Sequence, residues 1–197
     1  CGSGMRGYSE RYKDVRRFIN NELKIVFQQK LQDYVRLLLF ILIFTGMRLD
    51  EADTLKFEDI KTENGITFVD LTSDDKVIKN IGSARMIPLI PIVMKNVGTG
   101  SGRLFPRFKM DLDGKAQASA SKACMPYVRK VSKDPTIVLH SLRGTLKDML
   151  RDTGISKETN DFITGHSAGD VGGEYGSGPS LKVRYDALCS VKHPWID

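Results

Sequence analysis

Five short stretches of this chain carry side chains able to do chemistry on an anion. They are Thr45-Gly46-Met47-Arg48, the stretch around Lys79, His140-Ser141-Leu142-Arg143, Gly165-His166 and Glu174-Tyr175-Gly176. Guanidinium groups such as those of Arg48 and Arg143 offer forked donors that fit phosphate oxygens, and they stay protonated. A phenol such as Tyr175, with an ordinary pKa of about 10, becomes a nucleophile only when its proton is drawn off. Cationic surroundings favour the phenolate, and an imidazole such as His140 is suited to take or relay the proton. A lone arginine is most often a surface ion pair and a lone tyrosine a half-buried packing ring. It is the joint occurrence and the order along the chain that set these residues apart.

That order, Arg, Lys, His-x-x-Arg, His, Tyr, resembles the catalytic set of the tyrosine recombinases, the phage-integrase family. Thr45-Gly46-Met47-Arg48 followed by Glu51 and Leu55 looks like the family's first arginine motif. Ala84-Arg85-Met86-Ile87-Pro88-Leu89 looks like the strand that follows its lysine hairpin, and His140-Ser141-Leu142-Arg143-Gly144-Thr145 is similar to its second arginine box. Gly165-His166 precedes Tyr175 at the family's spacing. The resemblance runs from about residue 34 to residue 188. It implies a mainly α fold with a small antiparallel β-sheet (α+β), that of DNA breaking-rejoining enzymes. It also implies a reaction in which Tyr175 attacks a DNA phosphodiester and forms a covalent 3′-phosphotyrosine. Arg48 and Arg143 would then clamp the phosphate, His140 would act as base or relay, and His166 would donate to the scissile phosphate. Lys79 would protonate the leaving 5′-oxygen, with Lys76 as the alternative. Glu51, one turn beyond Arg48, reads as an ion-pair brace outside the catalytic set. Tyr185, at helical spacing with Leu181 and Leu188, reads as a packing residue rather than a rival nucleophile.

The resemblance further implies no cofactor, metal or ATP, double-stranded DNA as partner, four protomers on two duplexes in the full-length protein, and a cytoplasmic, nucleoid-associated setting in a bacterium or phage. Two other readings differ in chemistry or class. One is supercoil relaxation of the type IB topoisomerase kind. The other is a DNA-binding or architectural module without catalysis.

Bulk properties agree with an anionic partner. The net charge is +6 and the pI about 9.2, which favours nucleic acid or an acidic surface. A hydrophobic content of 41% suffices for one core and argues against disorder. Cys1, Cys124 and Cys189 are odd in number and far apart, and His140, His166 and His193 lack paired ligand spacing, so neither a disulfide framework nor a metal site is expected. The apolar run 37–44 is too short to cross a bilayer, and no signal peptide is visible. Residues 1–4 read as an added leader, and 5–197 as a single catalytic domain. The DNA-clamping amino-terminal domain of the family is expected to be absent.

The elements that must position these groups can be read coarsely. Residues 9–20 suggest a short opening helix. Residues 32–45 predict a buried central helix ended by Gly46, and 50–57 a short helix. Alternation over 66–71 predicts a strand, with two more at 76–81 and 84–87 closed by Pro88 and Pro91. Helices follow at 117–131, 142–151, 157–163 after a Ser156 cap, and from Pro179 to about Val191. Gly172 and Gly173 disfavour helix around Tyr175, at about 1 kcal/mol each. The final stretch, 180–197, is expected to dock on a neighbouring protomer.

Overall fold

A computed structural model of the chain describes residues 15–72, 84–166 and 178–196. Among these the architecture is mainly helical with one three-stranded antiparallel sheet, the fold class expected. Lys76, Lys79, Tyr175 and the strand expected at 76–81 lie outside the described residues.

The core forms around helix α2 (Asp33–Thr45), whose residues from Leu37 to Thr45 are all buried. A helix apolar on every face must be covered on every face. Helices α3 (Leu49–Ala52), α4 (Pro91–Val97), α5 (Gln117–Val131) and α6 (His140–Asp152) supply that cover. Helix α1 (Asn20–Gln28) turns Leu23, Val26 and Phe27 inward and packs on α5. Strands β1 (Ile60–Glu63), β2 (Ile66–Asp70) and β3 (Met86–Pro88) lie in that order, with Glu63 opposite Ile66 and Val69 opposite Ile87. Helix α7 (Lys157–Thr164) packs on α6, and α8 (Leu181–Ser190) joins α7 to β3.

Several expectations need correction. Residues 15–19 are not helical, and the first described helix begins only at Asn20. The stretch 50–57 splits into α3 and a single 3-10 turn, Phe57–Asp59. Strand β1 was missed. Its side chains are mostly exposed, so it carries no alternating apolar signal. The adjoining Asn64-Gly65 turn, with both φ values positive, is nonetheless a hairpin signature. Strand β3 starts two residues later than expected and includes Pro88, which a strand tolerates where its N–H is not needed. The helix expected from 142 begins at His140, so that histidine and Arg143 share its first turn.

The end of the chain turns inward. Trp195 is 3% exposed and stacks on Phe27 with centroids 4.8 Å apart, and His193 meets Phe44 edge-on at 4.5 Å. Within the stretch 180–197 it is His193 and Trp195 that pack onto α1 and α2 of the same chain. Tyr185 packs half-buried against the core, as expected.

Candidate active site

Two helices end at glycines in the left-handed region, and each delivers a site residue. Gly46 closes α2 with φ 65° and leads to Arg48. Gly165 closes α7 with φ 61° and leads to His166. An L residue with a side chain pays a steric penalty in that conformation. The carbonyl freed at each glycine is taken by an arginine from another element. Arg143 Nη1 donates to Gly46 O at 2.7 Å, and Arg48 Nη2 donates to Gly165 O at 2.9 Å.

Arg143 lies in the first turn of α6 and is 2% exposed. Its Nη2 contacts His166 Nδ1 at 3.1 Å. A guanidinium can only donate, so Nδ1 accepts and the ring proton sits on Nε2. That leaves Nε2–H as the donor available to an outside acceptor. The guanidinium groups of Arg48 and Arg143 therefore flank one dipeptide, Gly165-His166, although they come from residues 95 positions apart in sequence. Helices α6 and α7 are held in register by Lys147, which meets Asp161 at 2.7 Å, and by Asn160 Nδ2, which donates to Lys147 O at 2.8 Å.

Glu51 organises the other side. It caps α3 by accepting from Arg48 N at 2.8 Å, and it accepts from Arg48 Nη1 at 2.9 Å. It also takes a two-pronged bond from Arg85 at 3.1 and 3.0 Å. Burial alone would raise its pKa. The Arg85 charge and hydrogen bonds, with help from Arg48, overcome this and hold it at about 2. Arg85, 3% exposed, also donates from Nε to Ile163 O at 3.0 Å. The brace role expected of Glu51 is present, but Arg85 was read only as part of a strand. A cation inside the otherwise apolar run 84–90 was the available signal, because a buried charge requires a partner.

Burial and mutual repulsion of cations dominate the electrostatics of this cluster. Arg143 is pushed down to about 9, by burial first and then by the charges of Arg48 and Arg85, and is still protonated at neutral pH. His140, on the face of α6 shared with Arg143, is lowered to about 4 by burial and then by Arg143, Arg48 and Arg17. His166 is lowered to about 4 by dehydration and then by Arg143 and Lys147. Both imidazoles are therefore neutral at physiological pH, and an arriving anion would relieve part of the penalty on each.

Beyond His166 the described chain resumes at Gly178, packed on the ring of Phe162, where a Cβ would come within 2.4 Å. Arg184 of α8 lies over the other part of this cluster, with Cζ 4.9 Å from the Phe162 centroid, and donates to Met86 O. This ties α7, α8 and β3 together. Of the six residues expected in the site, Arg48, His140, Arg143 and His166 are brought together, and Lys79 and Tyr175 lie outside the described residues.

Among the described residues no helix is long and apolar enough to cross a membrane, and no three His, Cys, Asp or Glu side chains gather as a metal site would require. No curated protein matches the chain in sequence. In fold it is similar to the integrase from mycobacterium phage Brujita, with a TM-score of 0.66 and 13% identity over 91% of this chain. The chain spans 58% of that integrase's length. The description "Phage integrase family" matches residues 11–175, most of the sequence. The chain belongs to the phage integrase family.

Proposed function

We propose that this chain is the catalytic domain of a site-specific DNA recombinase that cuts and rejoins strands through a 3′-phosphotyrosine. The observation that carries this reading is the convergence of Arg48 and Arg143 on the adjacent residues Gly165 and His166. A phosphodiester undergoing attack gathers negative charge on its non-bridging oxygens. Preorganised cationic donors aimed at that charge are often the largest single catalytic contribution. Arg48 and Arg143 supply them, and His166 adds a neutral donor through Nε2.

In the reaction, the Tyr175 oxygen forms a bond to phosphorus and the bond from phosphorus to the 5′-oxygen breaks. His140, neutral and beside the arginines, takes or relays the phenol proton, and Lys79 or Lys76 gives a proton to the leaving 5′-oxygen. Attack by a 5′-hydroxyl on the phosphotyrosine reverses the sequence and reseals the strand. The bond energy is kept in the covalent link, so the chemistry calls for neither ATP nor metal. The chain returns at Gly178, three residues after Tyr175, against the α7 cluster. Duplex DNA is the partner, four protomers assemble on two duplexes in the full-length protein, and residues 5–197 act as one catalytic domain in a bacterial or phage-infected cytoplasm.

A duplex nicked just beyond the scissile phosphate, which on cleavage loses the short downstream fragment bearing the freed 5′-hydroxyl, tests the reading. The unaltered chain is expected to form a covalent protein–DNA adduct that persists in EDTA, and Tyr175→Phe to form none. An adduct equally abundant in Tyr175→Phe, or one abolished by EDTA, would contradict it.

A further inference from the structure

Helix α6 carries, next to His140, a seat for an arginine that the reaction above does not use. His140, Gly144 and Asp148 are spaced four apart and so form one stripe along the helix. Arg17, from the non-helical stretch 15–19, lies along that stripe. Its Nε is 3.3 Å from the Asp148 carboxylate, and its Nη1 donates to Val15 O at 3.0 Å. Its guanidinium covers Gly144 so closely that a Cβ there would sit 2.4 Å from Arg17 Cζ. Glycine is disfavoured in a helix interior relative to alanine, and here the missing side chain is what admits the guanidinium.

The stretch is pinned on both sides of Arg17. Phe18 N donates to Thr145 Oγ1 at 3.0 Å, the Phe18 ring is buried, and Arg16 is held by Asp134 at 2.9 Å and by Glu22. Arg17 is also near enough to His140 for its charge to oppose protonation of that ring. Its side chain nonetheless keeps 43% exposure, and its partner Asp148 is shared with Arg151 at 2.9 Å. An exposed pair of this kind contributes little to stability, so an incoming phosphate can displace it readily.

We propose that Arg17 is a DNA-phosphate contact of this site, taking a backbone phosphate beside the one held by Arg48 and Arg143. The inference rests on the reading of the site as a DNA-cleaving one. It extends the cationic surface one helical turn along α6 and gives the stretch before α1 a part in binding.

Affinity for a duplex, measured with the full chain across a salt series, tests it. Loss of one phosphate contact lowers the slope of log affinity against log salt by about one unit. Arg17→Ala is expected to show that loss together with severalfold weaker binding, and Arg17→Lys to restore most of the slope. Arg16→Ala removes the same charge one residue away, from a side chain committed to Glu22 and Asp134, and is expected to keep the original slope. Gly144→Ala places a methyl in the seat without harming the helix. It should weaken binding when Arg17 is present and add nothing to Arg17→Ala. An unchanged slope in Arg17→Ala, or an equal fall in Arg16→Ala, would overturn the proposal while leaving the strand-cleavage reading intact. Absence of salt-dependent DNA binding by the unaltered chain would overturn both.

Discussion

At the scale of single residues, Glu51 decides whether the arginines stand where they do. Its carboxylate is in hydrogen-bond contact with both Arg48 and Arg85, and Arg85 is almost fully buried. Removing it takes from a buried guanidinium the carboxylate that bonds it twice, and breaking such a pair costs about 3–5 kcal/mol. Glu51→Ala is therefore expected to lower folding stability by about 3 kcal/mol in denaturant titration, with Glu51→Gln losing less because its amide oxygen still accepts hydrogen bonds. A stability change within the error of the titration for Glu51→Ala would show that the pair is not a structural brace. Arg48, Arg143, His140 and His166 could be picked out in the sequence because they fall in ordered motifs that resemble those of the family, and the fold brings them together. Arg85 was not, since its role depends on a carboxylate 34 positions earlier and a carbonyl 78 positions later.

At the scale of elements, the site is made by helix ends. The α2 and α7 termini meet the first turn of α6, and the two left-handed glycines turn the chain so that the next residues face one point. Gly165 has a second constraint, because a Cβ there would lie 2.6 Å from Arg85 Nη1. Gly165→Ala is expected to cost at least about 1–2 kcal/mol from the left-handed conformation alone, and to lower strand-cleavage rate through displacement of Arg85 and of the carbonyl that Arg48 holds. Alanine with full activity and stability at this position would remove the helix-end account. The boundaries of α2, α5 and α7 were readable to within a residue or two, since long periodic runs and a Ser156 cap mark them. Elements whose definition comes from neighbours were not. Strand β1 is an exposed edge that exists because β2 pairs with it. The stretch 15–19 has helical spacing yet runs extended, because Phe18 is drawn to Thr145 of α6.

At the scale of the whole molecule, burial of the three histidines sets the response to acid. His140, His166 and His193 each sit at about 4 in the folded chain against an ordinary 6.5, burial being the first cause in every case. Below 6.5 the unfolded chain binds protons that the folded chain refuses, so stability falls as pH drops from 6.5 toward about 4. Glu51, near 2, stays ionised through that window. The midpoint of urea unfolding should fall steadily across it, and a flat midpoint would mean that the three rings are not held neutral. Protonation of His193 would strike the terminal stretch, whose Trp195 and His193 close the core over Phe27 and Phe44. The same fold that buries these rings gathers guanidinium groups from distant parts of the chain around Gly165 and His166, and their proposed role is most directly tested by single-turnover strand cleavage set beside DNA affinity for Arg48→Ala and Arg143→Ala. Each variant is predicted to cut at least about a hundredfold more slowly, the scale of losing one preorganised donor to developing charge, while affinity for duplex DNA changes far less. Equal losses of rate and affinity, or cleavage at the unaltered rate, would contradict the assignment of these arginines to the transition state.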